Sequence, residues 1–262
     1  MSVELDVTQP LLLPAGGGEV IGDSEDRRVE ILADHDALHA TWTRFGPHRE
    51  GADPHIHRRH SDLFYVLEGE LTIGLGADRA ETIAPAGTLV VAPAFVVHAF
   101  RNGSAEDVRY LNFHAPGEGF ADYMRGRRDG RDVSFDQEDP PADGGRPVDE
   151  ATIGTGEVVA DRPGLRVTLL ADSDEIGIAE VRSEPGGPLP PAAPKPESLY
   201  VLEGELTFSF GRAEAGAWVH VPVGVSFTCT VSGSKGARFL EIHSPRRGFG
   251  DALRTRLDQE PA

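Results

Sequence analysis

The sequence predicts an all-β protein made of two tandem copies of one small β-barrel. The octapeptide YVLEGELT occurs twice, at residues 65–72 and 200–207. Short runs of β-branched and aromatic residues, such as FVVHAF and VRYLNFHA, recur between turns rich in Gly and Pro. This pattern is typical of a small sandwich or jelly-roll barrel. Short helices are expected only at the ends of the copies, at 119–126 and 251–260.

The repeat extends over most of the chain. Residues 16–34 align without a gap on 154–172, and the second copy is shorter by loop-sized deletions. Between the copies lies an acidic segment that is rich in Gly and Pro and lacks apolar periodicity. The predicted division is an N-terminal arm (1–15), a first barrel (16–124), a linker (125–153), a second barrel (154–253) and a C-terminal tail (254–262).

The composition argues against several classes of function. The net charge of −18 argues against a nucleic-acid partner, because phosphate binding needs clustered cations, and the one basic run (125–132) is interrupted by Asp and Gly. A single cysteine, Cys229, rules out an internal disulfide and a thiolate cluster. The acidic N-terminus offers neither a signal peptide nor a membrane span, so a cytoplasmic protein without a membrane partner is expected.

A histidine cluster in the first copy predicts a metal site. His55 and His57 stand two residues apart, so on a strand both imidazoles face the same side. Asp62 opens the next strand, and His98 lies on a later strand that can face the first pair. Four donors at roughly 2.0–2.2 Å from one ion would satisfy a transition metal.

These residues resemble the two sequence motifs of the cupin superfamily. The first motif has a Gly, a His-x-His pair, a Glu and a second Gly, which correspond here to Gly51, His55, His57, Asp62 and Gly69. The second has a Gly, a Pro, a further Gly, a His and an Asn, which correspond to Gly87, Pro93, Phe95, His98 and Asn102. With the duplication, nearly the whole chain is similar to the bicupins, in particular those of the quercetin dioxygenase-like type.

Two positions depart from these motifs. Phe95 replaces the middle Gly of the second motif, and Asp62 is one methylene shorter than the Glu of the first. The Asp62 carboxylate therefore has two open roles: it binds the ion directly, or it holds a water or a ligand histidine. In the second case His60 is the reserve ligand.

Four further residues of the first copy are expected to line the pocket beside the metal. Asn112 and His114 share one face of a strand by alternation, and they line the pocket if that face is inward. His114 has an equivalent in the second copy, His243, which favours a structural role over a catalytic one. The other two pocket residues are the aromatic Phe64 and Phe100.

The second copy lacks the metal ligands. Aligned through YVLEGE, the places of His55, His57 and Asp62 are taken by Pro190, Ala192 and Glu197, and the place of His98 is taken by Phe227. One carboxylate does not hold a transition metal, so the second barrel is expected to be free of metal.

The resemblance implies one divalent transition metal per chain (Fe, Mn, Ni, Co or Zn), whose occupancy should fall below the histidine pKa of about 6.5. Such a cationic site would attract a small oxygen-chelating molecule, an enol, a catechol or a flavonol, and its expected activity is that of a dioxygenase. Two alternatives stay open: a Zn- or Mn-dependent isomerase or hydrolase, and a non-catalytic cupin that binds, senses or stores a small ligand. A homodimer is expected through an outward apolar patch formed by Leu63, Tyr65 and Leu67.

Overall fold

The computed structural model describes residues 9–78, 80–148, 151–190, 197–245 and 248–259. This part of the chain is mostly β-strand with two short helices, as the sequence predicts. The chain divides into two compact units. The N-terminal unit is Glu19–Thr155, and the C-terminal unit combines Met1–Gly18 with Gly156–Ala262. Neither helix of the described residues has the length and apolar character needed to cross a membrane.

The elements of the described residues follow in chain order. The first ten strands are β1 (Leu11–Leu13), β2 (Glu19–Ser24), β3 (Arg27–His35), β4 (Leu38–Phe45), β5 (Ser61–Glu68), β6 (Glu70–Leu75), β7 (Ala80–Pro85), β8 (Leu89–Ala92), β9 (His98–Arg101) and β10 (Val108–Ala115). Helix α1 (Phe120–Arg128) comes next. The remaining elements are β11 (Thr152–Gly154), β12 (Glu157–Arg162), β13 (Leu165–Asp172), β14 (Gly177–Ser183), β15 (Glu197–Phe208), β16 (Gly211–Glu214), β17 (Trp218–Val221), β18 (Cys229–Val231), β19 (Ala237–His243) and helix α2 (Phe249–Gln259).

The N-terminal unit contains two antiparallel sheets. Its larger sheet has the strand order β11-β8-β5-β10-β4-β3-β2, and its smaller sheet has the order β7-β6-β9. An apolar core that includes Phe64, Leu71, Ile73, Val90 and Tyr110 fills this unit. Because side chains alternate along a strand, every second residue of β4, β5 and β10 shares a face with that core.

The C-terminal unit repeats the same strand order. Its sheet runs β1-β17-β15-β19-β14-β13-β12, and β16 and β18 both pair with the second half of β15. The long strand β15 therefore occupies the places that β5 and β6 hold in the N-terminal unit. The break between β5 and β6 falls at Gly69, and its equivalent in β15 is Gly204; both have a positive φ, 73° and 77°. A Cβ on Gly69 would lie 2.5 Å from the Asp107 carbonyl oxygen, so only glycine fits this turn.

Segments outside the predicted barrels also take part in the two units. β1, in the predicted N-terminal arm, pairs with β17, and β11, at the end of the predicted linker, pairs with β8. Within that linker the backbone forms two further bridges to the N-terminal unit, Ile56–Glu138 and Val96–Gly145. Helix α1 continues into the predicted linker, and α2 continues into the predicted tail.

The apolar patch expected for dimer contacts is not free. Leu63 and Tyr65 are only 0% and 1% exposed, and Leu67 is half-buried. Alternation along β5 correctly separates these residues from Phe64 and Val66, but both faces of the strand are covered within the chain. Alternation identifies two faces and does not say which of them meets solvent. This patch therefore offers no support for a dimer.

Candidate metal centre

Four side chains of the N-terminal unit converge as the sequence predicts. His55, His57, Asp62 and His98 are all buried, and each offers a ligand atom within 4.8 Å of the others. Asp62 lies on β5, and His98 begins β9. His55 and His98 bridge through their backbones, with His55 N–H donating to the His98 carbonyl over 3.1 Å and the reverse bond measuring 3.0 Å. The bridge brings the two imidazoles side by side, with ring centroids 4.3 Å apart.

Backbone carbonyls set the orientation of the three imidazoles. The Nδ1–H of His55 donates to the Asp53 carbonyl (2.7 Å), that of His98 donates to the Val96 carbonyl (2.9 Å), and that of His57 donates to the Asp136 carbonyl. With the proton on Nδ1, each Nε2 of these neutral rings carries a lone pair. Three such lone pairs beside one carboxylate form the donor set of a divalent transition metal.

The orphaned nitrogens test whether a metal fits this site. Nε2 of His57 and Nε2 of His98 are fully buried and have no hydrogen-bond partner among the described residues. Leaving a buried polar atom unpaired costs about 1–3 kcal/mol. An ion bound by both nitrogens would remove this cost, so the residues present fit a metal.

Asp62 completes the donor set. Its Oδ2 lies 3.3 Å from His98 Nε2 and 3.6 Å from His57 Nε2, while its Oδ1 accepts a hydrogen bond from the Asn112 amide. Burial acts to raise the pKa of Asp62, but the charge interaction with the neighbouring ring of His114 is the largest of the causes that hold this pKa well below its usual range. Asp62 is therefore a carboxylate, and its Oδ2 is directed at the same point as the two orphaned nitrogens.

His60, the reserve ligand, takes part in a hydrogen-bond network instead. Its Nδ1 lies 3.1 Å from Asp136 Oδ2, and its Nε2 lies 2.9 Å from His114 Nδ1. His114 Nε2 in turn lies 3.1 Å from the Asn112 side-chain oxygen. His57, His60 and His114 also stand close enough to be grouped as metal donors, but this network occupies both ring nitrogens of His60 and of His114. The network thus links Asp62 to Asp136 through three side chains.

Asp136 is the residue of this site that the sequence does not indicate. It lies in the predicted linker, yet its side chain is buried and accepts hydrogen bonds from the backbone N–H groups of Arg58 (3.0 Å) and Arg59 (2.8 Å). Burial acts to raise the pKa of Asp136, but the hydrogen bonds from these two N–H groups act against burial. The pKa lies below its usual value, so the carboxyl is ionised. Phe135, its neighbour, packs against the rings of His57 and His60. The segment therefore holds the turn that carries His57 and His60.

Phe95 is the second departure from the motif, and its backbone has the conformation that glycine would adopt most easily. Its φ is 69°, which non-glycine residues rarely take. The strained residue is held from both sides, because its N–H donates to the His57 carbonyl (2.7 Å) and its carbonyl accepts from Arg146 N–H (2.9 Å). The departure therefore changes the side chain and leaves the turn beside the metal ligands intact.

A cavity of about 410 Å³ opens beside the four donors. His55, His57 and Asp62 line it, together with Asn112, His114 and Phe100 as the sequence predicts. Phe64 does not reach the cavity, because it is 1% exposed and packs in the apolar core, 4.8 Å from the ring of Phe100. The volume is that of a site for a small organic molecule. Among the other lining residues are Arg27, Val29, Phe45, Tyr110, Phe120, Tyr123, Met124 and Gln137.

In the C-terminal unit, the described residues at the corresponding places are a phenylalanine and a Glu–His pair. Phe227, at the position of His98, packs against Phe208 and Phe210. Glu241 and His243 occupy the places of Asn112 and His114 and contact each other over 2.7 Å. Ala192 and the side chain of Glu197 lie outside the described residues. Within the described part of the chain, both groups of potential metal donors belong to the N-terminal unit.

The burial of neutral imidazoles predicts a pH-dependent stability. Burial lowers the pKa of His55 to about 3, and burial also lowers the pKa of His39 to about 3. The unfolded chain gains protons on these groups near pH 6.5, whereas the folded chain does so only near pH 3. The free energy of unfolding should therefore be highest above pH 6.5 and fall steadily as the pH drops towards 3.

Thermal unfolding of the metal-free protein between pH 8 and pH 4 measures this effect. The variant His39→Phe removes one such group without touching a donor of the metal site, so its unfolding temperature should fall less steeply below pH 6.5. An equal slope in both proteins would contradict the assignment. For His55, this pKa also means that protons compete with metal at a much lower pH than the value near 6.5 expected from sequence.

Comparison with known proteins defines the class of fold. Residues 41–114 match the Cupin_2 family, described as a cupin domain. This range contains the four predicted ligands, Asn112 and His114. No curated protein sequence matches the chain. The N-terminal unit therefore contains a segment that is similar to a cupin domain.

Solved structures extend the similarity over nearly the whole chain. One is a glyoxylate-induced protein from Pseudomonas aeruginosa, with 16% identity, a TM-score of 0.65, and coverage of 93% of this chain and 92% of that one. An oxalate decarboxylase variant from Bacillus subtilis follows, with 13% identity, a TM-score of 0.59 and coverage of 92% and 80%. A 7S globulin from Momordica charantia has 16% identity, a TM-score of 0.57 and coverage of 88% and 83%. At these identities the similarity shows a common cupin-like fold and does not indicate which activity the chain has.

Proposed function

We propose that the protein is a metal-dependent bicupin oxygenase that adds both atoms of O2 to a small molecule chelated through oxygen. The observation that carries the proposal is the set of three imidazoles, each anchored through Nδ1 to a backbone carbonyl. The buried Nε2 atoms of His57 and His98 and the Asp62 carboxylate converge with His55 on one point. Iron, nickel or manganese, when bound there, would supply a cationic, redox-active centre for an ionised substrate oxygen.

The residues around the donors have separate tasks in this proposal. His55, His57 and His98 bind the metal as neutral ligands, so one carboxylate leaves the centre positively charged and attractive to an enolate or catecholate. Asn112 holds Asp62 by donating to its Oδ1, and its amide also donates to the Leu63 carbonyl over 3.0 Å. These bonds fix the carboxylate without using Oδ2.

The cavity walls favour a planar, partly apolar substrate. Phe100, Phe45 and Tyr110 form an aromatic group within the wall, with ring centroids of Phe45 and Tyr110 5.5 Å apart. Aromatic walls exclude water from the reacting oxygens and contact the faces or edges of a ring. A flavonol, a catechol or a similar enol has the chelating oxygens and the apolar body that such a cavity fits.

The strand order within each of the two units supports the bicupin part of the proposal. Both units have the same strand order, and both place a turn glycine, Gly69 or Gly204, at the same point of the repeat. A duplicated barrel with a single metal site explains this similarity together with the apolar packing of Phe227.

Oxygen uptake tests the proposed function. The protein is loaded in turn with Fe(II), Ni(II), Mn(II), Co(II) and Zn(II), and oxygen consumption is followed with flavonols and catechols as substrates. Uptake that requires iron, nickel or manganese together with one substrate class is the expected result. Turnover of a chelating substrate without oxygen, best with zinc, would replace the proposal by an isomerase or hydrolase. Tight binding without any turnover would leave a non-catalytic ligand-binding protein.

A further inference from the structure

The cavity contains a second charged feature at a distance from the metal donors. Arg27, at the start of β3, lies opposite Phe45 of β4, and both line the cavity. Asn112, which holds Asp62, lies opposite Thr41 of β4. Phe45 and Thr41 are four residues apart on β4. The Arg27–Phe45 pair and the Asn112–Thr41 pair are therefore separated by roughly 13 Å along the strand, at about 3.3 Å per residue. The cavity therefore extends from the metal donors towards an arginine.

Arg27 lacks the acidic partner that its neighbours have. Its side chain is half-buried, its Nε is fully buried without a hydrogen-bond partner, and no carboxylate of the described residues lies within ion-pair distance. Arg28, the next residue, pairs with Asp23 and Glu30 at 2.7 Å each. Burial lowers the pKa of Arg27, but a guanidinium stays charged near neutral pH. A poorly solvated cation without a counter-ion is a ready anion-binding group.

The surroundings of Arg27 strengthen this character. Arg49 and Arg127, which line the same cavity, carry the same charge as Arg27. Arg49 is already paired with Asp26, whereas Arg27 has no such pair. Glu50 and Asp53 also line the cavity, but both are exposed to solvent. Three arginines line the cavity. Arg27 is half-buried, and among the described residues no acid lies within ion-pair distance of its guanidinium.

Tyr110 lies opposite Thr43 of β4, between the Arg27–Phe45 pair and the Asn112–Thr41 pair. Burial is the main cause that raises its pKa, while the charge of Arg27 lowers and the charge of Asp62 raises this pKa. Both charges thus act on one phenol. The ring of Tyr110 also contacts Phe45 and Phe100, with centroids 5.5 Å and 6.1 Å away. The space between the cation and the metal donors is consequently walled by aromatic rings.

We propose that the substrate is a carboxylate with an aromatic or similarly planar body, whose carboxylate binds the Arg27 guanidinium while its chelating oxygens reach the metal end of the cavity. This inference rests on the proposed function, because it assigns the chelating end to the metal site. A planar guanidinium binds a carboxylate through two parallel N–H···O bonds, which Lys cannot reproduce. The loss of such a charged pair should weaken binding roughly tenfold to hundredfold.

Matched acids and esters test the inference. The probes are protocatechuate, homoprotocatechuate and dihydrocaffeate, which place the carboxylate progressively further from the same catechol, and the methyl ester of each. Their dissociation constants are measured by calorimetry, without oxygen, on the metal-loaded wild-type chain and on Arg27→Gln, Arg27→Lys and Arg28→Gln. Arg28→Gln is the matched control, because it removes a neighbouring arginine that lies outside the cavity lining.

The expected result is at least one acid that binds ten times or more tightly than its ester to the wild type and to Arg28→Gln. This preference should vanish in Arg27→Gln and be reduced in Arg27→Lys, which keeps the charge and guards against a variant that fails to fold. If no acid is preferred over its ester, or if the preference survives in Arg27→Gln, the inference is overturned. Repeating the titrations on the metal-free chain separates the two proposals. A preference for the acid at Arg27 needs neither a bound metal nor oxygen uptake, so it can persist even where the proposed oxygenase activity fails.

Discussion

Replacing His57 by Ala should abolish metal binding in the whole chain. The wild type should hold about one ion per chain, and His57→Ala close to none, because one of three imidazoles is lost from a site with a single carboxylate. The expected loss of affinity exceeds the roughly 10–100-fold change typical of a residue that only supports a ligand. Metal analysis after dialysis gives the stoichiometry, and competition with a chelator gives the affinity.

Two controls locate the site. His48→Asn removes an exposed histidine of the same unit and should leave the metal in place. Glu197→Ala removes the carboxylate that the sequence places at the Asp62 position of the second copy, and it should also leave the metal in place. Should Glu197→Ala lose its ion while His57→Ala keeps it, the site has been assigned to the wrong copy.

Asp136→Ala should weaken metal binding and destabilise the N-terminal unit. The buried carboxylate accepts hydrogen bonds from the N–H groups of Arg58 and Arg59 and contacts His60. Its removal leaves these groups unpaired, which should cost about 2–3 kcal/mol of unfolding free energy. The turn that carries His57 would also lose its support, so metal affinity should fall about 10–100-fold.

Denaturant unfolding and chelator competition measure the two effects of Asp136→Ala separately. Asp139→Ala is the matched control, since it removes an exposed aspartate from the same segment and should change neither quantity. A variant Asp136→Ala with wild-type affinity for metal would show that the segment only covers the turn and does not position the ligands.

The positions of side chains can be predicted from the sequence where they depend on a short stretch of chain. His55 and His57 face the same side because they are two residues apart on extended backbone, and this spacing is visible in any printed sequence. His98 is found because it stands within a second short motif. The repeat predicts the shared strand order of the two units, since loop-sized deletions leave the strands between them unchanged.

The residues that the sequence leaves out act across long distances along the chain. Asp136 contacts His60 from 76 residues away, within a segment whose composition resembles a linker. Arg27 joins the cavity only because β3 lies beside β4, and nothing in its neighbourhood distinguishes it from Arg28. Alternation places Phe64 on the same face of β5 as Asp62 but does not give its depth, and Phe64 packs in the core rather than in the pocket. Contacts of this kind depend on the folded topology, which short-range patterns do not contain.

The pairing of β1 with β17 has a consequence for the order of synthesis. A ribosome makes the chain from its N-terminus, so Leu11–Leu13 emerges roughly two hundred residues before its partner Trp218–Val221. By then the partners of every strand of the N-terminal unit, including Thr152–Gly154, have already been made. During synthesis β1 therefore has no partner, and its backbone groups stay free for wrong partners, until β17 has been made. Its length of three residues limits that hazard.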